Sequence, residues 1–558
     1  MIEERLRSLI REAMAGAAAD LGVDSPPDTI DLRQPPQKEM GDFSTNVAMA
    51  WGSRLKRNPG EVAAAIVKHL PRSDFVSSVE VAGIGFINFH VLHLWLYDVL
   101  REVIARGEGF GRAEPKTERV QVEFVSANPT GPLHIGHARN AALGDALARV
   151  LDAAGYGIER ECYFNDVGKQ MELFGRSVEA RLLQLHGREA ELPEGGYVGE
   201  YVHDVAREVD ARAGSPILDL PEEERWKAVL DHAIPIMLEM MQATLERFGV
   251  RFDSFFWQHD LHDSGAVEQA IARMREHGDV FEEDGAVWFR ATSYGDDKDR
   301  VLIRSNGEPT YFAADCAYLV HKFGRGFDRL IYVWGADHHG DIKRVKGAAA
   351  SLGFGPDAVE IIIYQFVSFT ERGRPVRMSK RSGALITLDE LLDEVGADAA
   401  RFTLLSRSND STIEFDIEEV KRQSLDNPVY YVQYAHARIA SILRQAGDRG
   451  VEAAPVEQAE LERLAHEAEL NLLRKVSELP EEVLVAANLR APYRLTKYAQ
   501  ELAALFHRFY TDCRVITEDA ALTQARLLLC LATKQAVANV LGLLGVSAPE
   551  TMERTDDG

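Results

Sequence analysis

Residues 119–137, RVQVEFVSANPTGPLHIGH, carry an alternating apolar strand into a turn holding two prolines and two glycines, and the chain then leaves as HARNAALGDALARVLDAAG (137–155). Leu143, Leu147, Val150, Leu151 and Ala154 in that second stretch recur with helical spacing, and Gly155 supplies a stop. A second strand, IERECYF (158–164), and a helix opening with VGKQMELF (167–174) follow. Strand, helix, strand, helix is the order of a doubly wound parallel sheet. The predicted fold is therefore α/β with a Rossmann-like nucleotide domain.

Outward from this core the alternation breaks at about 175–295, where acidic, helix-rich sequence including LPEGGYVGEYVHD and DLPEEERW reads as an insertion. It then resumes. TYFAADCAYLVHKF is expected as a short strand and helix, DRLIYVWGADHHG as a strand and turn, GDIKRVKGAAASLG as a helix and VEIIIYQFVSF as a strand, with the basic MSKRSG loop directly after it. Together, 119–424 form the expected catalytic domain. Residues 1–110 read as a separate small α/β domain: RLRSLIREAM has helical spacing, GDF (41–43) is a loop running into a helix, and SVEVAGIGFINFHV is strand broken by Gly83 and Gly85. RGEGFGRAEPKTER reads as a linker. Residues 425–558 show only helical runs, which predicts an all-α bundle.

At 558 residues the chain is too long for one core. Its 46% hydrophobic and 27% charged content fits a globular protein, and a formal charge of -25 argues against non-specific coating of nucleic acid, which needs many exposed cations. No run of about 18 apolar residues stands out and the opening MIEERLRSLIREAM is charged, so neither a membrane span nor a secretory signal is expected. The expected location is the cytoplasm. Cys162, Cys316, Cys513 and Cys530 stand singly, which predicts reduced, buried thiols and no cysteine metal site.

His134, Gly136 and His137 sit where strand becomes helix, at the sheet edge that holds phosphates in such folds. The glycine lets a nucleotide approach the backbone, and the histidines can donate to phosphate oxygens as charge develops. A metal site is the rival reading, but no third ligand lies close in sequence. Met378, Ser379 and Lys380 follow in a basic loop, and a mobile lysine suits a leaving pyrophosphate. A histidine pair after the first strand and a lysine loop after the last come to one edge of the sheet.

These residues resemble the HIGH and KMSK signatures of class I aminoacyl-tRNA synthetases. GDFSTNVA, GIGFINF, VEFVSANPTGPLHIGHARNA, TYFAADCAYLVHKFGRGFDRLIYVWGADHHGDIKR, NPVYYVQYAHARI and FHRFYTDCRV make nearly the whole chain similar to arginyl-tRNA synthetases. Arg377 departs from the lysine motif in its first position but keeps the charge. The resemblance implies activation of L-arginine with ATP and Mg²⁺, without a dedicated protein metal site, and transfer to tRNA(Arg). It implies Glu123 and Asp315 as guanidinium partners with Tyr311 nearby, Ser126, Asn128 and His338 completing the amino-acid pocket, and Gly335 and Asp337 against the ATP ribose. It implies tRNA elbow contacts in the amino-terminal domain, with Phe43 and Asn46 as candidates, and anticodon contacts in the helical domain, with Tyr434 and Arg438. A monomer is expected. Carboxylates suit a planar five-donor cation, and lysine cannot reproduce that fork. The rivals are a class I synthetase for another amino acid, or a catalytically silent tRNA-binding paralogue.

Overall fold

The protein is described here by a computed structural model covering residues 2–23, 26, 27, 29–33, 35, 37, 40–355, 357–375 and 386–552. It divides into two compact units, one of residues 1–108, 442–477 and 505–535, the other of residues 109–441, 478–504 and 536–558.

In the first unit the helix Ile2–Leu21 buries Leu6, Ile10, Ala13, Met14 and Ala17, the stripe that 3.6 residues per turn produces. A four-stranded antiparallel sheet runs Leu32–Arg33, Phe43–Thr45, Phe86–Val91, Val76–Ala82. The glycine-broken stretch is thus a hairpin. The GDF segment enters a strand at Phe43 where a loop was expected, because Phe43 pairs with Phe89 in the ladder and its ring is buried. Tyr97 donates its hydroxyl to the Leu464 carbonyl at 3.0 Å within this unit.

The second unit is built on a five-stranded parallel sheet ordered Val359–Tyr364, Arg329–Gly335, Arg119–Glu123, Gly157–Phe164, Ser254–Trp257. Numbered along the chain, that order is 5-4-1-2-3, so the direction of winding reverses between Arg119–Glu123 and Arg329–Gly335. Ligands of such sheets sit at that reversal, beyond the carboxyl ends of the strands. The helix Ala138–Ala153 crosses the sheet with almost its whole circumference buried. A Cβ on Gly144 would lie 2.2 Å from the Phe124 ring, so only glycine lets this helix lie so close to the strand end.

Three expectations are corrected in this unit. Ser254–Trp257, inside the stretch read as an interruption, is an edge strand of the parallel sheet; four residues are too few to show a period. The segment from Tyr311 to Gly324 is helix throughout, because the Thr310 side chain accepts the Ala313 amide and caps it. VEIIIYQFVSF is two strands. The second, Val367–Glu371, belongs to a separate sheet with Arg374–Pro375 and Ile413–Asp416, because the Gln365 peptide between them bonds elsewhere: its N–H to Asn409 and its carbonyl to Arg139. Within the interruption, the helices Lys169–Leu185, Glu200–Ala213 and Glu222–Arg247 share their own core of Phe174, Val178, Val205, Val209, Val229 and Met237.

Beyond residue 425 the described residues form helices and no strands, and these helices contribute to both units. One of them, Ala520–Leu544, is long and apolar enough to cross a bilayer by length and mean hydropathy alone. Most of its apolar stretch is buried within the protein, as for a core helix covered on several sides. All four cysteines are buried free thiols.

Candidate active site

The strand Arg119–Glu123 ends in strain. Val125 and Ser126 take positive φ of 71° and 35°, a region that costs a β-branched side chain most. Asn140 holds this kink: its Oδ1 accepts the Val125 amide at 2.6 Å, and its Nδ2 donates to the Val333 carbonyl at 2.9 Å. One side chain from the helix thus ties together the two strands flanking the winding reversal. The kink turns Ser126 so that its hydroxyl donates to Glu123 Oε1 at 3.0 Å.

Residues 135–137 form a short 3₁₀ turn ahead of the helix, so the histidines precede the α-helix and do not lie on its first turn. Their rings pack at 3.9 Å between centroids. His134 Nδ1 accepts the Gly136 amide at 3.1 Å and His137 Nδ1 accepts the His134 amide at 3.2 Å. Burial pushes the His137 imidazole down to about 4, with the His134 ring adding to it, and burial lowers His134 as well. Both rings are neutral near pH 7. With Nδ1 accepting, the proton of each is on Nε2, which leaves two uncharged N–H donors for an anion.

Residues 376–385, and with them Met378, Ser379 and Lys380, lie outside the described residues. The chain on their far side meets the histidine turn directly. Ile135 donates to the Ile386 carbonyl at 3.1 Å and Leu388 to the Leu133 carbonyl at 2.7 Å, with His134 and Thr387 paired across the bridge. A Thr387–Glu390 capping box then starts the helix Leu388–Val395.

His134, Gly136, His137, Glu123, Ser126, Asp315, Gly335, Asp337 and His338 all line one cleft of about 670 Å³. A Cβ on Gly335 would stand 2.5 Å from Asp337 Oδ1, so the strand end there accepts only glycine while Asp337 keeps its place. Asp337 and His338 remain largely exposed, with His338 Nδ1 at 3.4 Å from Asp341. Asp315 is pushed up to about 7 by burial, with Arg344 pulling it down and Glu123 and Asp341 pushing it up.

Two residues read as pocket members do not line this cleft. Tyr311 is 59% exposed at the start of its helix, its hydroxyl lying over Gly168, and Asn128 donates to Gln170. Of the candidates for nucleic-acid contact, Phe43 is buried with its ring 6.4 Å from Trp95, which removes it from the surface; Asn46 is half-buried ahead of the helix Val47–Leu55. Tyr434 stacks on Tyr430 with rings 8° apart, and the Arg438 guanidinium lies 5.3 Å over Tyr434.

Sequence reading missed several groups. Arg139 is almost fully buried and donates to the Gln365, Ser411 and Ser408 carbonyls at 2.6, 2.8 and 2.9 Å, joining the helix after the histidine turn to the segment between the two sheets. Lys322, fully buried, donates to Glu123 Oε2. Its signal was the spacing of Asp315, Tyr318 and Lys322, one polar stripe on an otherwise apolar helix. Among the described residues no three His, Cys, Asp or Glu side chains are grouped to hold a metal ion.

A parallel sheet wound 5-4-1-2-3, a paired-histidine turn beyond its first strand and an acidic pocket at its winding reversal define a class I aminoacyl-tRNA synthetase. Residues 99–440 match the family model described as tRNA synthetases class I (R), catalytic domain; residues 4–91 match the arginyl tRNA synthetase N terminal domain and 432–552 the DALR anticodon binding domain. The chain is 48% identical to an arginine–tRNA ligase of Heliobacterium modesticaldum, with 99% of each chain covered, and 49% identical to one of Moorella thermoacetica, with 97% of each covered. The arginyl-tRNA synthetase structure from Thermus thermophilus superposes with a TM-score of 0.75 at 26% identity, over 98% of this chain and all of the other. The chain belongs to the arginyl-tRNA synthetase family.

Proposed function

We propose that this chain is an arginine–tRNA ligase in which the L-arginine carboxylate attacks the α-phosphorus of ATP, releasing pyrophosphate. A ribose hydroxyl of the 3'-terminal adenosine of tRNA(Arg) then attacks the adenylate carbonyl and AMP leaves. The observation that carries this reading is that one cleft joins the two neutral N–H donors of His134 and His137 to the carboxylates of Glu123 and Asp315. An acidic wall suits a guanidinium and disfavours an acidic substrate, while the histidine turn suits phosphate. No side-chain nucleophile is required, because positioning and electrostatics suffice for adenylate formation.

In this reading Glu123 and Asp315 take the guanidinium, and Ser126 orients Glu123. His338 borders the amino-acid backbone, while Asn128 and Tyr311 stand outside the cleft and would have to turn toward it to meet the amino acid. Gly335 and Asp337 meet the ATP ribose, Gly136 lets the phosphates approach, and Met378, Ser379 and Lys380 supply the second half of the phosphate site. Mg²⁺ travels on the ATP phosphates. Residues 1–110 contact the tRNA elbow and 425–558 the anticodon loop, where the Tyr434 ring and Arg438 offer a stacking face and a cation. The enzyme works as a cytoplasmic monomer.

Pyrophosphate exchange with each amino acid in turn, with and without tRNA(Arg), tests the reading. Exchange with arginine alone among the amino acids is expected; exchange driven by another amino acid, or by none, would overturn it.

A further inference from the structure

Behind the cleft wall lies a buried ladder of alternating charge. Lys322 Nζ donates to Glu123 Oε2 and lies 3.8 Å from Glu161 Oε1. Glu161 accepts from the Tyr318 hydroxyl and from Arg325, whose other Nη reaches Glu159. The lysine ammonium is further sandwiched by rings, 4.2 Å from the Tyr318 centroid and 4.3 Å from that of Tyr332. The Lys322 and Glu161 side chains are fully buried and that of Glu123 nearly so.

We infer that Lys322 is a positioning residue for amino-acid specificity: it fixes the Glu123 carboxylate in place, so that Glu123 presents a preset acceptor to the substrate guanidinium. The inference rests on the proposed arginine site. Its physical core is local. Glu123 sits on the strand Arg119–Glu123 and Glu161 on the neighbouring strand Gly157–Phe164, paired in register. Two carboxylates facing one buried space push each other apart unless a cation lies between them. Lys322 is that cation, and the two rings hold it by their π-faces. Ser126 fixes the other oxygen of Glu123 from the strained kink, so both oxygens are anchored before substrate arrives. A carboxylate anchored in this way has less freedom to lose on binding. Lys322 does not line the cleft, and the cation it presents to Glu123 comes from the protein side of the wall.

The test is steady-state pyrophosphate exchange in the full-length enzyme with tRNA(Arg), comparing wild type, Lys322→Met and the double variant Lys322→Met with Glu161→Gln. Lys322→Met is expected to raise the arginine KM about tenfold or more while the ATP KM and kcat stay within about twofold. The double variant, in which the second carboxylate has lost its charge, is expected to recover at least about a third of that loss. An arginine KM that does not move, arginine and ATP KM values that rise together, or a double variant no better than the single one would each overturn the inference. If Lys322→Met does not accumulate folded, Lys322→Gln serves, since it fills much of the same volume and keeps an N–H donor but carries no charge, and the same split between arginine and ATP is expected. A wild-type enzyme that fails to respond to arginine would defeat the underlying reading instead, so the two failures are distinguishable.

Discussion

His137 Nδ1 accepts the backbone N–H of His134 at 3.2 Å, while the backbone of Gly136 donates back to His134 Nδ1. The turn therefore selects its own tautomers, and each imidazole reaches the cleft as a neutral Nε2–H donor. Asparagine at 137 could keep the backbone acceptor but has no atom at the Nε2 position, whereas glutamine reaches it. His137→Asn is expected to slow adenylate formation about 10²–10³-fold with little change in the arginine KM, the size of losing one preorganised donor, and His137→Gln to lose less. Single-turnover adenylate formation measures both.

The same burial has a pH consequence for stability. His137 titrates at about 4 in the folded chain, against an ordinary value of 6.5. Between those values the unfolded chain binds a proton that the folded one refuses, so this residue's contribution is intact above pH 6.5 and is lost as pH falls toward 4. His137→Gln should flatten that part of the stability profile in urea titrations run from pH 7 to 4.5.

Asp315 behaves in the opposite sense. Burial holds it at about 7, so the folded chain binds a proton between its ordinary value of 3.8 and 7 that the unfolded chain has released, and the stability this brings is lost as pH rises through 7. Only the ionised form pairs with a guanidinium. The arginine KM is expected to fall as pH rises from 6 to 8, at most about tenfold per unit, while the ATP KM stays flat. Asp315→Asn should raise the arginine KM about 10–100-fold and abolish this pH dependence. Arg344→Gln removes a charge that pulls Asp315 down and should move the transition to higher pH.

Much of this was legible in the sequence because the chain keeps one period per element in the sheet region: RVQVE alternates, the helix after HIGH recurs at 3.6, and turn residues stand between them. What escaped lacks a local signal. Ser254–Trp257 is a strand only because Gly157–Phe164 offers it a ladder. Phe43 looked like a loop aromatic because its partner, Phe89, lies far along the chain. In the site, Glu123 and Asp315 were accessible through the resemblance of their segments; Lys322 is the exception that left a local trace, its polar stripe, but its partners and those of Arg139 are atoms that folding alone brings near: carboxylates on neighbouring strands and carbonyls more than 200 residues away.

Arg139 meets three backbone carbonyls and no carboxylate in its hydrogen bonds, and burial pulls it down to about 10, still charged at neutral pH. Lysine has too few donors in the right plane to replace the fork. Arg139→Lys is expected to cost about 2–3 kcal/mol in urea unfolding, from carbonyls left without a donor, and to raise the ATP KM because Gln365, next to the Phe366–Val367 wall of the cleft, loses its tie to the histidine helix. An unchanged ATP KM would separate that wall from nucleotide binding.

Asp145, half-way along the same helix, forms a buried pair with Arg401. Arg401 also donates to the Leu544 carbonyl at 3.0 Å and the Phe248 carbonyl at 2.9 Å, and Asp145 accepts from Arg149 at 2.7 Å. Removing the two partners should not be equivalent. Arg401→Met leaves the buried Asp145 carboxylate with Arg149 alone as its hydrogen-bonded cation, strands two carbonyls, and is expected to cost about 3–5 kcal/mol. Asp145→Asn leaves Arg401 with both carbonyls and keeps an amide oxygen for it, so a smaller loss is expected. Combining Arg401→Met with Asp145→Asn removes charge and counter-charge together and should recover much of the Arg401→Met loss. Urea unfolding of the three variants, read as a double-mutant cycle, measures the coupling; additive losses would mean that the ion pair itself contributes little and that Arg401 acts chiefly through the carbonyls.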